Sequence, residues 1–96
     1  MNKRIHAVIS GRVQQVGFRS FVEDEADNLG LTGWTRNLYS GEVEVVAEGD
    51  ELKLQAFSRR ISQGPSLSHI IHFNLEWLPA TGEFPHFNVR STFISD

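Results

Sequence analysis

The chain has 96 residues, 40% of them hydrophobic and 22% charged, with a formal net charge of −3 and no cysteine. It is too apolar and too weakly charged for a disordered chain, and too short to build a second core. The lack of cysteine excludes a disulfide scaffold, a zinc knuckle, an iron–sulfur centre, a CxxC redox pair and a thiol nucleophile, and with the last of these the cysteine-dependent phosphatases.

Lys3 and Arg4 precede a short apolar run that His6 interrupts and Ser10-Gly11-Arg12 ends. That run is too short for a secretory signal or a membrane span, so a cytoplasmic protein is expected. Ile5, Ala7 and Ile9 alternate with His6, Val8 and Ser10, which predicts a strand buried mainly on one face. A loop runs from Gly11 towards a helix starting near Arg19. The apolar positions Phe18, Val22, Ala26 and Leu29 recur there at helical spacing, acids occupy the outer faces, and Gly30 closes the helix. Residues 31–36 predict a second strand, Asn37-Leu38-Tyr39-Ser40-Gly41 a turn, and residues 42–48 a third strand completing a hairpin. Asp50 is the expected N-cap of a second helix, which buries Leu54, Phe57 and Ile61 and ends at Gly64-Pro65. Ile71, Phe73, Leu75 and Trp77 are expected to share one face of a long fourth strand; a turn over residues 78–82 follows, then a short final strand marked by Phe87, Val89 and Phe93.

The order strand, helix, strand, strand, helix, strand, plus a short last strand, points to an α+β sandwich with two helices on one face of an antiparallel sheet. A helical crossover makes the first two strands parallel, with the third between them. The loop after strand one and the turn after strand two then leave the same edge of the sheet, on the order of 10 Å apart. Side chains from residues 11–19 and from Asn37 can therefore converge on one small ligand.

Charge points to the nature of that ligand. The first 22 residues carry a local +4 and no acid, and the remainder carries five bases against twelve acids. A small basic spot on an acidic body suits a small anion better than a long polyanion. A glycine-bearing loop that enters a helix aims free backbone N–H groups at its mouth, at the positive end of the helix dipole. Arg19 is a cation at that end, at a cost of about 0.3–1 kcal/mol. Its sign makes sense if guanidinium and N–H groups share a dianion; the alternative is that Arg19 swings away to pair with an acid. Asn37 alone is an ordinary turn residue and gains meaning only from the shared sheet edge.

The stretch Gly11-Arg12-Val13-Gln14-Gln15-Val16-Gly17-Phe18-Arg19 resembles the signature loop of the acylphosphatases. The likeness continues through residues 29–37 and 41–49, and again at Gly64-Pro65 and Phe87-Asn88-Val89-Arg90, in order over most of the chain. The resemblance implies a ferredoxin-like fold and hydrolysis of acyl phosphates to a carboxylate and inorganic phosphate, with no metal or organic cofactor. It implies that Arg19 binds phosphate, that Asn37 orients the attacking water, and that the backbone of Gln15, Val16, Gly17, Phe18 and Arg19 forms the phosphate cradle. A monomer acting on a small molecule, without nucleic acid or membrane, is the expected working form. The chain departs from the family pattern at Gln15, where glycine is usual: if that residue needs a positive φ, glutamine costs about 1–2 kcal/mol. The tail from Ser91 to Asp96 runs past the usual end.

Competing readings remain open at this point. A related domain can bind phosphorylated ligands or proteins without turnover. The same strand–helix order occurs in RNA-recognition domains, but those need exposed aromatics on a basic sheet, whereas Glu42, Glu44 and Glu48 here lie on the third strand. His69 and His72, three apart on a strand, face opposite sides and make a poor metal pair, and His6 and His86 complete no pattern. Asp24 and Glu25 read as a solvated helix face, and Ser10, Ser20 and Ser40 lack His–Asp partners. Trp34 and Trp77 are expected in the core or at the rim of the site.

Overall fold

The computed structural model describes residues 1–92, in the order β1 (Asn2–Arg12), α1 (Phe18–Asn28), β2 (Thr32–Asn37), β3 (Val43–Asp50), α2 (Glu51–Gln63), β4 (His69–Pro79) and β5 (Phe87–Val89). One sheet, ordered β4-β1-β3-β2-β5, carries both helices on one face. Strand β3 is antiparallel to both β1 and β2, which are therefore parallel to each other with β3 between them, as a helical crossover requires. The architecture is the ferredoxin-like α+β sandwich expected from the sequence. The buried faces are Ile5, Ala7 and Ile9 on β1, Val43, Val45 and Ala47 on β3, Phe18, Val22 and Ala26 on α1, and Leu54, Phe57 and Ile61 on α2.

Local signals act where they stand in the chain. The Asp50 carboxylate accepts from the Leu52 N–H at 3.1 Å and caps α2. At the end of α1, Leu31 N–H donates to the Ala26 carbonyl at 2.9 Å and Gly30 N–H to that of Asp27 at 3.1 Å, the paired closure that a left-handed glycine allows. Glu25 is not on an open helix face. Both its oxygens accept from Arg60, at 3.1 and 2.9 Å, and tie α1 to α2.

Strand β4 departs from simple alternation. A bulge interrupts its pairing with β1, where Ser10 meets His72 and Gly11 meets Ile70, leaving Ile71 without a β1 partner. Ile70 therefore packs against the core beside Phe73, while Ile71 is 63% exposed. The expected common face of Ile71, Phe73, Leu75 and Trp77 holds for the last three, which pair with the buried Ile9, Ala7 and Ile5. The approach at the bulge is close enough that a Cβ on Gly11 would overlap the His69 carbonyl, which explains a glycine inside β1.

The sheet is mixed rather than wholly antiparallel, because β5 runs parallel to β2. The chain leaving β4 crosses one rim of the sheet and reaches its far edge where β2 begins, so it enters alongside β2 in the same direction. Glu48 organises this crossing. Its carboxylate is 4% exposed and accepts from the N–H groups of Thr81 and Gly82 (2.9 Å each), the Thr81 hydroxyl (3.0 Å) and Arg4 Nε (2.7 Å). Beyond the crossing, Gly33 N–H donates to the His86 carbonyl at 2.9 Å and Phe87 seats in the core. Phe93, expected to extend this strand, lies outside the described residues.

Burial pushes the Glu48 carboxyl pKa up, but the Thr81 and Gly82 amides, Arg4 and the Thr81 hydroxyl outweigh it and hold it below its ordinary 4.5. The stabilisation is therefore present above that ordinary value and is lost as pH falls through the lower folded one. Glu48→Gln should cost about 1–3 kcal/mol, read as a lowered urea midpoint at neutral pH. The deficit relative to the native chain should shrink as pH is lowered below 4.5; a deficit independent of pH would mean that shape rather than charge matters there.

Candidate active site

The segment between β1 and α1 is held by apolar side chains turned inward. Val13 and Phe18 are each 1% exposed, and Val16 packs against the core from its rim. Anchored in this way, the loop turns its backbone outward. Gly17 stands at the helix entrance in the left-handed region (φ 76°, ψ 20°), with no side chain capping α1 and no acid in the first turn. The first helical bond there is Phe21 N–H to the Gly17 carbonyl, at 3.0 Å. The N–H groups of Phe18, Arg19 and Ser20 thus lack acceptors within the helix and are available to an anion.

Val13, Gln15, Gly17, Phe18, Arg19, Ser20 and Asn37 line a cleft of about 90 Å³ at this point. A water molecule occupies about 30 Å³ of liquid, so the cleft is on the scale of one small oxyanion. Arg19 does not fold back onto an acid: its Nη1 donates to the Arg90 carbonyl, just past β5, at 3.4 Å. That bond keeps the guanidinium on the same rim as the loop.

Asn37 is the last residue of β2 and pairs with Val43 of β3. It is 9% exposed, and its Oδ1 is buried with no hydrogen-bond partner among the described residues. A buried acceptor left unmatched costs about 1–3 kcal/mol, so the fold bears this penalty at the one asparagine bordering the cleft. The loop and the β2 terminus do share a sheet edge, as the topology required. Gln15, Gly17, Phe18, Arg19 and Asn37 all face the cleft, whereas the Val16 side chain turns inward and has only its backbone to offer.

Gln14, which the sequence singled out only as part of the loop, fastens the two halves of the site together. Its Nε2 donates to the Leu38 carbonyl at 2.8 Å and the Glu42 carbonyl at 2.9 Å, bridging the β1–α1 loop to the turn beside Asn37. A primary amide has two N–H donors and can satisfy two carbonyls at once, but nothing local in the sequence indicates which two.

Gln15 is the one non-glycine residue with a positive φ, 61°, among the described residues. The condition attached to its departure from the family pattern is therefore met, and the chain bears about 1–2 kcal/mol of backbone strain at the mouth of the cleft. Gln15→Gly should leave the fold intact and keep or improve affinity for inorganic phosphate, measured by calorimetric titration; weaker binding would show instead that the glutamine side chain contributes to the site.

On the sheet face away from the helices, Trp34 is not an open platform for a base. Arg36 lies 4.5 Å above the Trp34 ring centre and Arg90 4.7 Å from it, and the indole is only 9% exposed. Glu48 is buried, and Glu44 accepts from His6 Nε2 (2.7 Å) and Arg36 Nε (2.8 Å), so neither is displayed as an open acid. Trp77 is neither in the core nor at the cleft; it stands 42% exposed on the edge strand. Among the described residues, no three His, Asp or Glu side chains gather as a ligand set, and no helix is long and apolar enough to cross a membrane.

Comparison with known proteins gives the family and the fold. The family model described as Acylphosphatase matches residues 5–89. A Pseudomonas paraeruginosa protein named Acylphosphatase is 46% identical over 78 residues, spanning 81% of this chain and 86% of its own. A Methylococcus capsulatus protein of the same name is 42% identical over 87 residues, 91% of this chain and 95% of its own. The crystal structure of acylphosphatase from Bacillus subtilis superimposes with a TM-score of 0.88 at 34% identity, covering 94% of this chain and 99% of that one. With a matching family model over most of its length, and relatives and a solved structure aligned nearly end to end, this chain belongs to the acylphosphatase family of enzymes.

Proposed function

We propose that the cleft takes the phosphoryl group of an acyl phosphate and that water bound to Asn37 attacks phosphorus in line with the carboxylate leaving group. The reading rests above all on the buried, unpartnered Asn37 Oδ1 bordering the cleft that Arg19 and the uncapped amides of α1 also face. The N–H groups from Gln15 to Arg19 and the Arg19 guanidinium hold the non-bridging phosphoryl oxygens and neutralise their charge as the P–O bond loosens. The Asn37 oxygen accepts a hydrogen bond from the nucleophilic water and directs its lone pair at phosphorus. The bond from phosphorus to the acyl oxygen breaks and the carboxylate departs with the electron pair. A carboxylate is a stable anion, so no side chain need protonate it. The proton lost by the water passes to a phosphoryl oxygen, leaving inorganic phosphate. Positioning and charge complementarity carry this scheme, which matches a site without a histidine or carboxylate in its lining. A cysteine-free enzyme of this kind is suited to the cytoplasm.

The test is hydrolysis of an aryl acyl phosphate in water enriched in oxygen-18, with metals chelated. The expected result is turnover with the label in phosphate, since the attack is at phosphorus. Label in the carboxylate would place the attack at the carbonyl carbon and overturn the scheme. Phosphate binding without turnover would favour a non-catalytic binding module.

A further inference from the structure

At about 90 Å³ the cleft has room for a phosphoryl group but not for the acyl half of a substrate, which must lie across its mouth. In-line attack by water held on Asn37 sends the leaving carboxylate away from Asn37, towards the side that residues 13–20 form. Most of that side is already committed. Val13 and Phe18 are buried in the core, and Gly17 has no side chain. Arg19 and the loop N–H groups face the non-bridging oxygens in the proposed scheme. Gln15 and Ser20 are the exposed polar side chains that are left, and the glutamine carries its polar group two carbons further from the backbone.

Two features set Gln15 apart. Its backbone stands at φ 61°, although a glycine would hold such a turn without strain, as Gly17 does two residues on at φ 76°. Its carboxamide has no partner among the described residues, whereas the neighbouring Gln14 donates to both the Leu38 and the Glu42 carbonyls. A strained residue whose side chain does nothing for the fold points to work on a ligand. We infer that the Gln15 carboxamide recognises the acyl half of the substrate, its Nε2–H donating to the acyl carbonyl oxygen. The inference rests on the acyl phosphate reading of the cleft and adds to it a group that touches the leaving half. Before cleavage that acceptor is a neutral carbonyl. As the bond from phosphorus to the bridging oxygen breaks, the electron pair spreads over both carboxylate oxygens, and the amide's hydrogen bond becomes charge-assisted. The amide keeps its proton, so no other bond is made or broken. Gln15 is thereby a catalytic residue, and one that favours acyl phosphates over phosphate esters, which have no carbonyl beside the bridging oxygen.

Gln15→Met keeps the length of the side chain and its backbone demand but has no donor, and Gln15→Gly removes donor and strain together. Both variants are compared with the native chain on ring-substituted aroyl phosphates with strongly to weakly acidic leaving acids, and by titration with inorganic phosphate. In both, kcat/KM should fall by about 5- to 30-fold for the weakest leaving acid and by less for the strongest, so that the dependence on leaving-acid pKa steepens. Phosphate affinity should not fall by more than about threefold in either variant, because the amide serves the acyl half. A distorted loop would instead weaken phosphate binding and lower every substrate alike. The native slope in either folded variant, or an equal loss across the series, would overturn the proposal while leaving the reading of the cleft in place. A native chain that hydrolyses no member of the series would overturn that reading and the proposal with it.

Discussion

Arg19→Ala should abolish measurable acyl phosphate hydrolysis, with kcat/KM falling by at least about 10³-fold, and should also weaken binding of inorganic phosphate by about 10- to 100-fold. The first figure follows from removing the one cationic group that lines the cleft, which would stabilise charge on the transferred phosphoryl group. The second follows from the loss of charge-assisted hydrogen bonds worth about 1.5–3 kcal/mol to a bound dianion. Stability should move the other way. Arg19 stands in the first turn of α1, where a positive charge opposes the helix dipole and no acid compensates it. The alanine variant should therefore melt at the same temperature as the native chain or slightly higher, read by circular dichroism. An inactive variant that is also unfolded would mean that the 3.4 Å bond from Arg19 to the Arg90 carbonyl holds the β5 edge together, and that Arg19 is structural.

Asn37→Ala should lower kcat by about 10²–10³-fold while phosphate affinity stays within about threefold of native. The two effects separate because the asparagine is assigned to the water and not to the phosphate. Its Oδ1 is an acceptor, and an acceptor has nothing to offer a phosphate oxygen but can hold a water hydrogen. Parallel titrations with inorganic phosphate and initial-rate measurements on both variants give the comparison. If Asn37→Ala loses phosphate binding as severely as Arg19→Ala, the asparagine is part of the cradle through its Nδ2, and the water must be positioned by another group. Stability is a second readout. Removing a buried, unpartnered acceptor relieves a desolvation penalty, so this variant too should be at least as stable as the native chain. Two residues whose removal silences the reaction but leaves the fold unharmed would be the pattern expected where local rules are broken for function.

Several features were legible because their causes are local. The Asp50 cap, the glycine closure after α1 and the alternation of β1 each depend on neighbours a few residues away, and each appears in the structure within a residue or two of its expected place. Arg19 was legible for the same reason: a misplaced charge in a first helical turn can be recognised from the sequence of that turn. The bulge that replaces Ile71 with Ile70 on the core face was not legible, since it arises from the register between β4 and β1 at Gly11, about sixty residues earlier in the chain. Glu48 was misjudged for a similar reason. Its alternation placed it on the open face of β3, and only the chain crossing at Thr81 and Gly82 buries it.

By itself the sequence determined the order of the elements, the faces that make the core, and the loop bearing Arg19, because hydrophobic period, capping and turn chemistry act over short stretches of chain. Tertiary structure alone decided that the oxygen of Asn37, whose place beside that loop the element order already implied, is left unmatched, that Gln14 ties the loop to the turn beyond it, and that β5 enters parallel to β2. Each of those depends on which distant carbonyl, strand or rim a residue meets, and a hydrogen bond between groups far apart in the chain leaves no periodic trace in either partner.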